Sequence, residues 1–139
     1  MQLNDKYIKR LTERLYKEFP QIAFAYLFGS AASGELSSQS DIDVAIFLKP
    51  PHRSPDLIAG IIGVIEETIP GHPCDLLMLN DAGKLIAMEA LKGKNLFIRK
   101  SSFDDHAEFY SLTCRMFEDI QAWMKKQLIY RGYEVQWNH

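Results

Sequence analysis

The chain has 139 residues, 16 basic against 18 acidic side chains for a formal net charge of −2, and two cysteines. That length suits one hydrophobic core and is too short for a catalytic domain plus a sizeable substrate domain, so residues 1–139 are expected to form a single domain, with a core over 1–100 and a terminal helix over 102–131. The charge balance, with no basic stripe, excludes a long polynucleotide as partner; with no signal peptide, long apolar span or Cys-x-x-Cys, we expect a cytoplasmic chain, no membrane, and Cys74 and Cys114 as small core residues.

In chain order, apolar positions at Leu3, Tyr7, Ile8, Leu11, Leu15 and Phe19, with Asn4 or Asp5 near the start and Pro20 past the end, predict an amphipathic helix. Ile22 to Phe28 is a continuous apolar run that fits a strand buried on both faces, and it stops at Gly29. Glycine permits a tight turn and close approach to a phosphate, while the Ser30 hydroxyl and the N–H groups of a helical turn over Ala31 to Gly34 can donate to phosphate oxygens.

The next strand alternates Ile42, Val44, Ile46 and Leu48 with Asp41, Asp43, Ala45 and Phe47, which places Asp41 and Asp43 side by side on one face. Two carboxylates this close repel, and holding both ionised needs a compensating charge. Oxygen-only donors favour a hard cation such as Mg²⁺, which is typically held by one or two carboxylates together with substrate phosphates. An Asp-x-Asp alone reads as an ordinary solvated pair. The Gly-Ser turn, the spacing and the preceding buried strand together point to a metal-bound nucleoside triphosphate.

Lys49 to Pro55 reads as a loop and Leu57 to Ile69 as a helix broken by Pro70-Gly71-His72-Pro73. Cys74 to Leu79 reads as a buried strand opened by Asp75, a charge that is costly there without a partner. Its plainer reading is a strand-end or capping aspartate. Asp81 competes for the same role, although Asn80-Asp81-Ala82 suits a helix N-cap. Lys84 to Leu91 predicts a short helix ending at Gly93, and Leu96 to Ile98 an edge strand. Lys49, Arg53, Arg99 and Lys100 are candidates to reach a triphosphate, each also readable as a solvated surface charge. His52, His72, His106 and His139 show no metal-ligand spacing and receive no catalytic role.

The last segment opens with Ser102-Phe103-Asp104-Asp105, which resembles a capping box, with Lys125, Lys126 and Arg131 suited to the other helix end. One apolar stripe holds Phe103, Ala107, Tyr110, Cys114, Phe117, Met124 and Leu128; a second holds Phe109, Leu112, Met116, Ile120, Trp123 and Tyr130. At about 100° per residue the two are centred roughly 130° apart, too wide for one small sheet to bury both. One stripe is expected to face another chain, a foreign partner or a second copy in a homo-oligomer, unless the leading helix covers it.

Gly29-Ser30, ten residues (Ala31 to Ser40), then Asp41-Ile42-Asp43 resembles the signature of the minimal nucleotidyltransferases of the DNA polymerase beta superfamily, and the order of elements is similar across most of the chain. Many of those relatives carry an arginine before the second glycine of the turn, where this chain has Ser33. The compact size and C-terminal helix look most like MntA-type antitoxins. The resemblance implies an α/β nucleotidyltransferase fold with a small mixed sheet flanked by helices, and transfer of AMP from ATP to a tyrosine of a HEPN-domain toxin. It further implies Gly29 and Ser30 on the nucleotide, two Mg²⁺ ions on Asp41, Asp43 and Asp75, and Asp75 as the third acid at the acceptor hydroxyl. Transfer to a small alcohol such as an aminoglycoside, a degenerate nucleotide- or partner-binding module, and an interaction protein that merely covers a toxin are the alternatives.

Overall fold

A computed structural model describes residues 5–33, 40–50, 54–130 and 132. Leu3, Asn4, Gly34, His52, Arg53, Arg131, His139 and the Tyr130 side chain lie outside the described part. The elements in chain order are α1 (Asp5–Glu18), β1 (Ile22–Phe28), α2 (Ser30–Ser33), β2 (Ile42–Leu48), α3 (Pro55–Thr68), β3 (Cys74–Met78), α4 (Lys84–Leu91), β4 (Lys94–Ile98), a 3-10 turn (Lys100–Ser102) and α5 (Phe103–Tyr130).

The strands form one mixed sheet in the order β3-β2-β1-β4. β1 pairs antiparallel with β2 and β4, and β2 pairs parallel with β3 through the α3 crossover. The two central strands carry the continuous apolar runs because both of their faces are covered. On one face, Ile22, Leu27, Val44 and Ile46 pack with Leu11 and Leu15 of α1 and with Ile61 and Ile65 of α3. On the other, Phe24, Tyr26 and Ala45 pack with Ala87, Ala90 and Leu91 of α4 and with Phe109 of α5. Ser54 caps α3, its side chain accepting from the Leu57 N–H at 3.1 Å, and Pro55 fills the first turn.

Three local expectations are corrected. β3 is an edge strand, only partly buried, and Asp75 on it is exposed, so burial does not explain that aspartate. α4 starts at Lys84 behind Gly83, which leaves Asp81 in the preceding turn rather than at an N-cap. Ser102 belongs to the 3-10 turn, whose N-cap is Arg99, so the turn runs straight into α5 in place of a capping box.

α5 and the 3-10 turn before it meet the rest of the molecule along Ser102, His106, Phe109, Thr113 and Phe117, a line that takes members from both predicted stripes. α1 is on the opposite face of the sheet and does not cover α5. Tyr110, Leu112, Met116, Trp123, Met124 and Ile129 remain exposed, Trp123 at 62%.

Candidate active site

β1 ends at Gly29, whose φ of +70° is in the left-handed region that glycine enters without strain. The turn continues into α2, with the Gly29 carbonyl accepting from the N–H groups of Ala32 and Ser33 at 3.2 Å each. Ser30 thus begins a helical turn, half-buried beside the end of β1. A Cβ on Gly29 would overlap the Asp43 carboxylate and lie 3.2 Å from its Cγ. Glycine is required here by the carboxylate as well as by the backbone.

Antiparallel pairing sets Asp43 opposite Phe28, and parallel pairing sets it opposite Asp75. Neighbouring strands lie about 5 Å apart, and register partners share a face. Asp43 and Asp75 therefore stand side by side on the α4/α5 face at the Gly29 end of the sheet. Asp41 precedes β2 and is exposed. Burial, then the Asp75 charge, then the Asp41 charge, and finally a hydrogen bond with Asp75, hold the Asp43 carboxyl above its ordinary range. Asp41 and Asp43 are the adjacent pair in sequence, but Asp75 acts more strongly on Asp43 than Asp41 does.

His72 supplies a support that sequence spacing alone does not reveal. It is buried, and its Nδ1 lies 2.9 Å from the Ser40 carbonyl oxygen. The Ile42 N–H donates to the Pro73 carbonyl at 2.8 Å. The Gly71–Pro73 turn thereby fixes the backbone on both sides of Asp41. Cys74, next to Asp75, has its thiol pushed up to about 12, first by burial and then by the carboxylates of Glu66, Asp75, Asp43 and Asp41. It is a packing residue and not a nucleophile.

Of the expected cationic helpers, Lys49 and Arg99 lie elsewhere. β2 runs away from Asp43, so Lys49 emerges at the far end of the sheet, roughly 20 Å along the strand, and its Nζ donates to Ser101 Oγ at 3.4 Å. Arg99, at the same far end, donates through Nε to Ile22 O at 2.6 Å and through Nη2 to Tyr16 O at 2.6 Å and Phe19 O at 2.8 Å. It also stacks on the Tyr16 ring at 4.3 Å. Arg99 ties α1 to the sheet. At the active end, Lys92, Gly93 and Lys94 line a cleft beside Gly29, in a segment that reads as a simple helix stop.

The three aspartates suit a hard divalent cation by their chemistry. They provide oxygen donors alone, and a cation would relieve the repulsion from Asp75 and Asp41 that adds to burial in raising Asp43. Among the described residues no three His, Cys, Asp or Glu side chains are already gathered in a metal-holding arrangement.

A fold with the Gly-Ser turn and paired carboxylates at one end of a mixed sheet is that of a nucleotidyltransferase. The family model described as polymerase beta, nucleotidyltransferase matches residues 9–102, and the chain belongs to that family. It is a minimal nucleotidyltransferase resembling MntA. Among solved structures it is similar to a toxin–antitoxin complex with AMP-PNP, at 23% identity, covering 93% of this chain and 98% of that one, with a TM-score of 0.66. It is similar also to the MntA–HepT toxin–antitoxin, at 19% identity over 92% and 97% of the two chains and a TM-score of 0.63. A third likeness is to the complex of tri-AMPylated Shewanella oneidensis HEPN toxin with MNT antitoxin, at 18% identity over 93% and 98% and a TM-score of 0.64. These likenesses establish the shared fold. No curated protein matches the chain in sequence. No helix among the described residues is long and apolar enough to cross a membrane.

Proposed function

We propose that this chain transfers AMP from ATP, with Mg²⁺, to a tyrosine hydroxyl of a HEPN-domain toxin partner. The observation that carries the reading is the register pairing of Asp43 with Asp75 beside the Gly29 turn. Support for the nucleotide and the acceptor comes from the structural relatives, which include a toxin–antitoxin complex with AMP-PNP and a complex with an AMPylated HEPN toxin. The exposed apolar side chains of α5 supply a surface for a helical partner.

Gly29 and Ser30 hold the triphosphate, the glycine by allowing close approach and the serine by donating its hydroxyl. Asp41, Asp43 and Asp75 would hold Mg²⁺, which supplies neutralisation of the charge that builds on the phosphate during in-line displacement. Asp75, exposed at the sheet edge, takes the proton from the incoming hydroxyl. The acceptor oxygen forms a bond to the α-phosphorus, the bond from that phosphorus to the bridging oxygen breaks, and pyrophosphate leaves.

The test is co-expression with the polypeptide that co-purifies, followed by intact-mass and fragment mass spectrometry. Addition of AMP to a tyrosine of that partner, lost with Asp43→Asn, is the expected result. A partner that stays unmodified while a small alcohol is adenylylated would overturn the protein-acceptor reading.

A further inference from the structure

Gly29 borders two features at once. On one side is the Asp43 carboxylate, and on the other a cleft of about 380 Å³ opens between α2 and the start of β4. Ala32 and Ser33 form one wall of that cleft, while Lys92 and Lys94 flank Gly93 on the other. The α2 wall, Ser30–Ser33, carries no basic residue, so the cationic charge on this cleft comes from the α4–β4 side.

Gly93 brings that charge close. A Cβ there would overlap the Leu27 carbonyl oxygen and lie 2.9 Å from Phe28 Cβ and 3.0 Å from Phe28 Cα, so a glycine lets the chain pass against the end of β1. Lys94 then pairs with Leu27, two residues before Gly29. Lys92 holds its ammonium 5.2 Å from the centroid of the Phe117 ring of α5, which orients the group without consuming its N–H donors. Glu89 also lines the cleft. Among the described residues no ion pair joins it to either lysine.

We propose that Lys92 and Lys94 hold the terminal phosphates of the nucleoside triphosphate, whose tail crosses Gly29 from the Asp43 side into this cleft. This rests on the nucleotidyl-transfer reading above and adds the residues that distinguish a triphosphate from a monophosphate. Two unpaired ammonium groups suit the most highly charged end of such a ligand, since charge-assisted contacts to phosphate are the strong ones.

Calorimetry on the full chain with Mg²⁺ tests it, using AMP-PNP, inorganic tripolyphosphate and AMP as probes. Lys92→Met and Lys94→Met keep the aliphatic stem and remove the charge. Each should weaken AMP-PNP and tripolyphosphate by about 10- to 150-fold while AMP binding changes by less than about 2-fold, and Lys→Arg at either position should restore the loss. Equal weakening of AMP and AMP-PNP, or unchanged AMP-PNP binding in the double Met variant, overturns the proposal. If the double variant binds normally while Asp43→Asn still abolishes transfer, the lysine assignment alone has failed. If the unmodified chain binds neither AMP-PNP nor tripolyphosphate, the nucleotidyl-transfer reading has failed with it.

Discussion

Asp43 of β2 and Asp75 of β3 face each other across a parallel strand pair, and Gly29 lies against the Asp43 carboxylate where a larger residue would displace it. Burial and then the Asp75 charge make the Asp43 carboxyl harder to ionise, a cost that packing in the rest of the fold must offset.

Asp43→Asn tests that trade. It removes a negative oxygen but keeps the side-chain shape, so transfer should fall at least about 100-fold. Because Asp43 ionises against burial and its neighbours' charge, the neutral amide should raise the melting temperature at pH 7. The gain should be small, roughly 1–3 °C, since solvent screens charges that are only partly buried. A variant both inactive and slightly more stable is the expected result. One that retains Mg²⁺-dependent transfer refutes the site.

Gly29→Ala should cost about 1–2 kcal/mol for the left-handed backbone alone, with a further cost for the overlap with Asp43. The second contribution can be isolated. In an Asp43→Ala background the obstructing carboxylate is gone, so the added cost of Gly29→Ala should shrink by at least about 0.5 kcal/mol in a double-mutant cycle. Strict additivity of the urea-unfolding energies would mean that the Gly29–Asp43 contact is immaterial.

Much of this was legible in the sequence. The apolar run Ile22–Phe28 and the alternation over Ile42–Leu48 are the observed strands, because local side-chain pattern decides which faces are buried. Strand direction and neighbour choice were not legible, since they depend on long-range pairing. Lys49 follows the acidic strand in sequence yet emerges at its far end, while Lys92 and Lys94, distant in sequence, return to Gly29 because β4 pairs with β1. α5 followed neither predicted stripe because His106 and Thr113, which lie outside both stripes, take places on the buried line.

Acid sensitivity should come from His106. Its Nε2 and the Tyr26 hydroxyl share a 2.6 Å hydrogen bond, its ring packs edge-on to Phe24 at 4.7 Å, and Tyr110 lies beside it. Burial lowers its pKa below the ordinary 6.5, while burial foremost, and next Tyr110, push Tyr26 up to about 12. The unfolded chain therefore binds this proton more tightly. The contribution of neutral His106 is complete above pH 6.5 and is lost as the pH falls through the lowered folded value. Melting temperatures between pH 8 and pH 5 should fall less steeply for His106→Gln than for the unmodified chain. Tyr26→Phe should cost about 0.5–1.5 kcal/mol at pH 7. Parallel pH profiles for His106→Gln and the unmodified chain would refute the assignment.

Asp75 and Asp81 separate acceptor chemistry from nucleotide binding. Asp75 is in register with Asp43, whereas Asp81 sits beyond the end of β3. The parallel β2–β3 ladder runs from Ile42–Cys74 to Ile46–Met78, so Asp81 lies past the ladder's opposite end from Asp43. Asp75→Asn should keep much of the affinity for Mg²⁺ and AMP-PNP yet lose most transfer, because help from a general base is worth about 100- to 10,000-fold. Asp81→Asn should leave both nearly unchanged. Parallel calorimetry and single-turnover transfer on the two variants decide the matter. Loss of transfer in Asp81→Asn with retention in Asp75→Asn would contradict the β2–β3 register, and normal transfer in both would rule out a third carboxylate at the reacting centre.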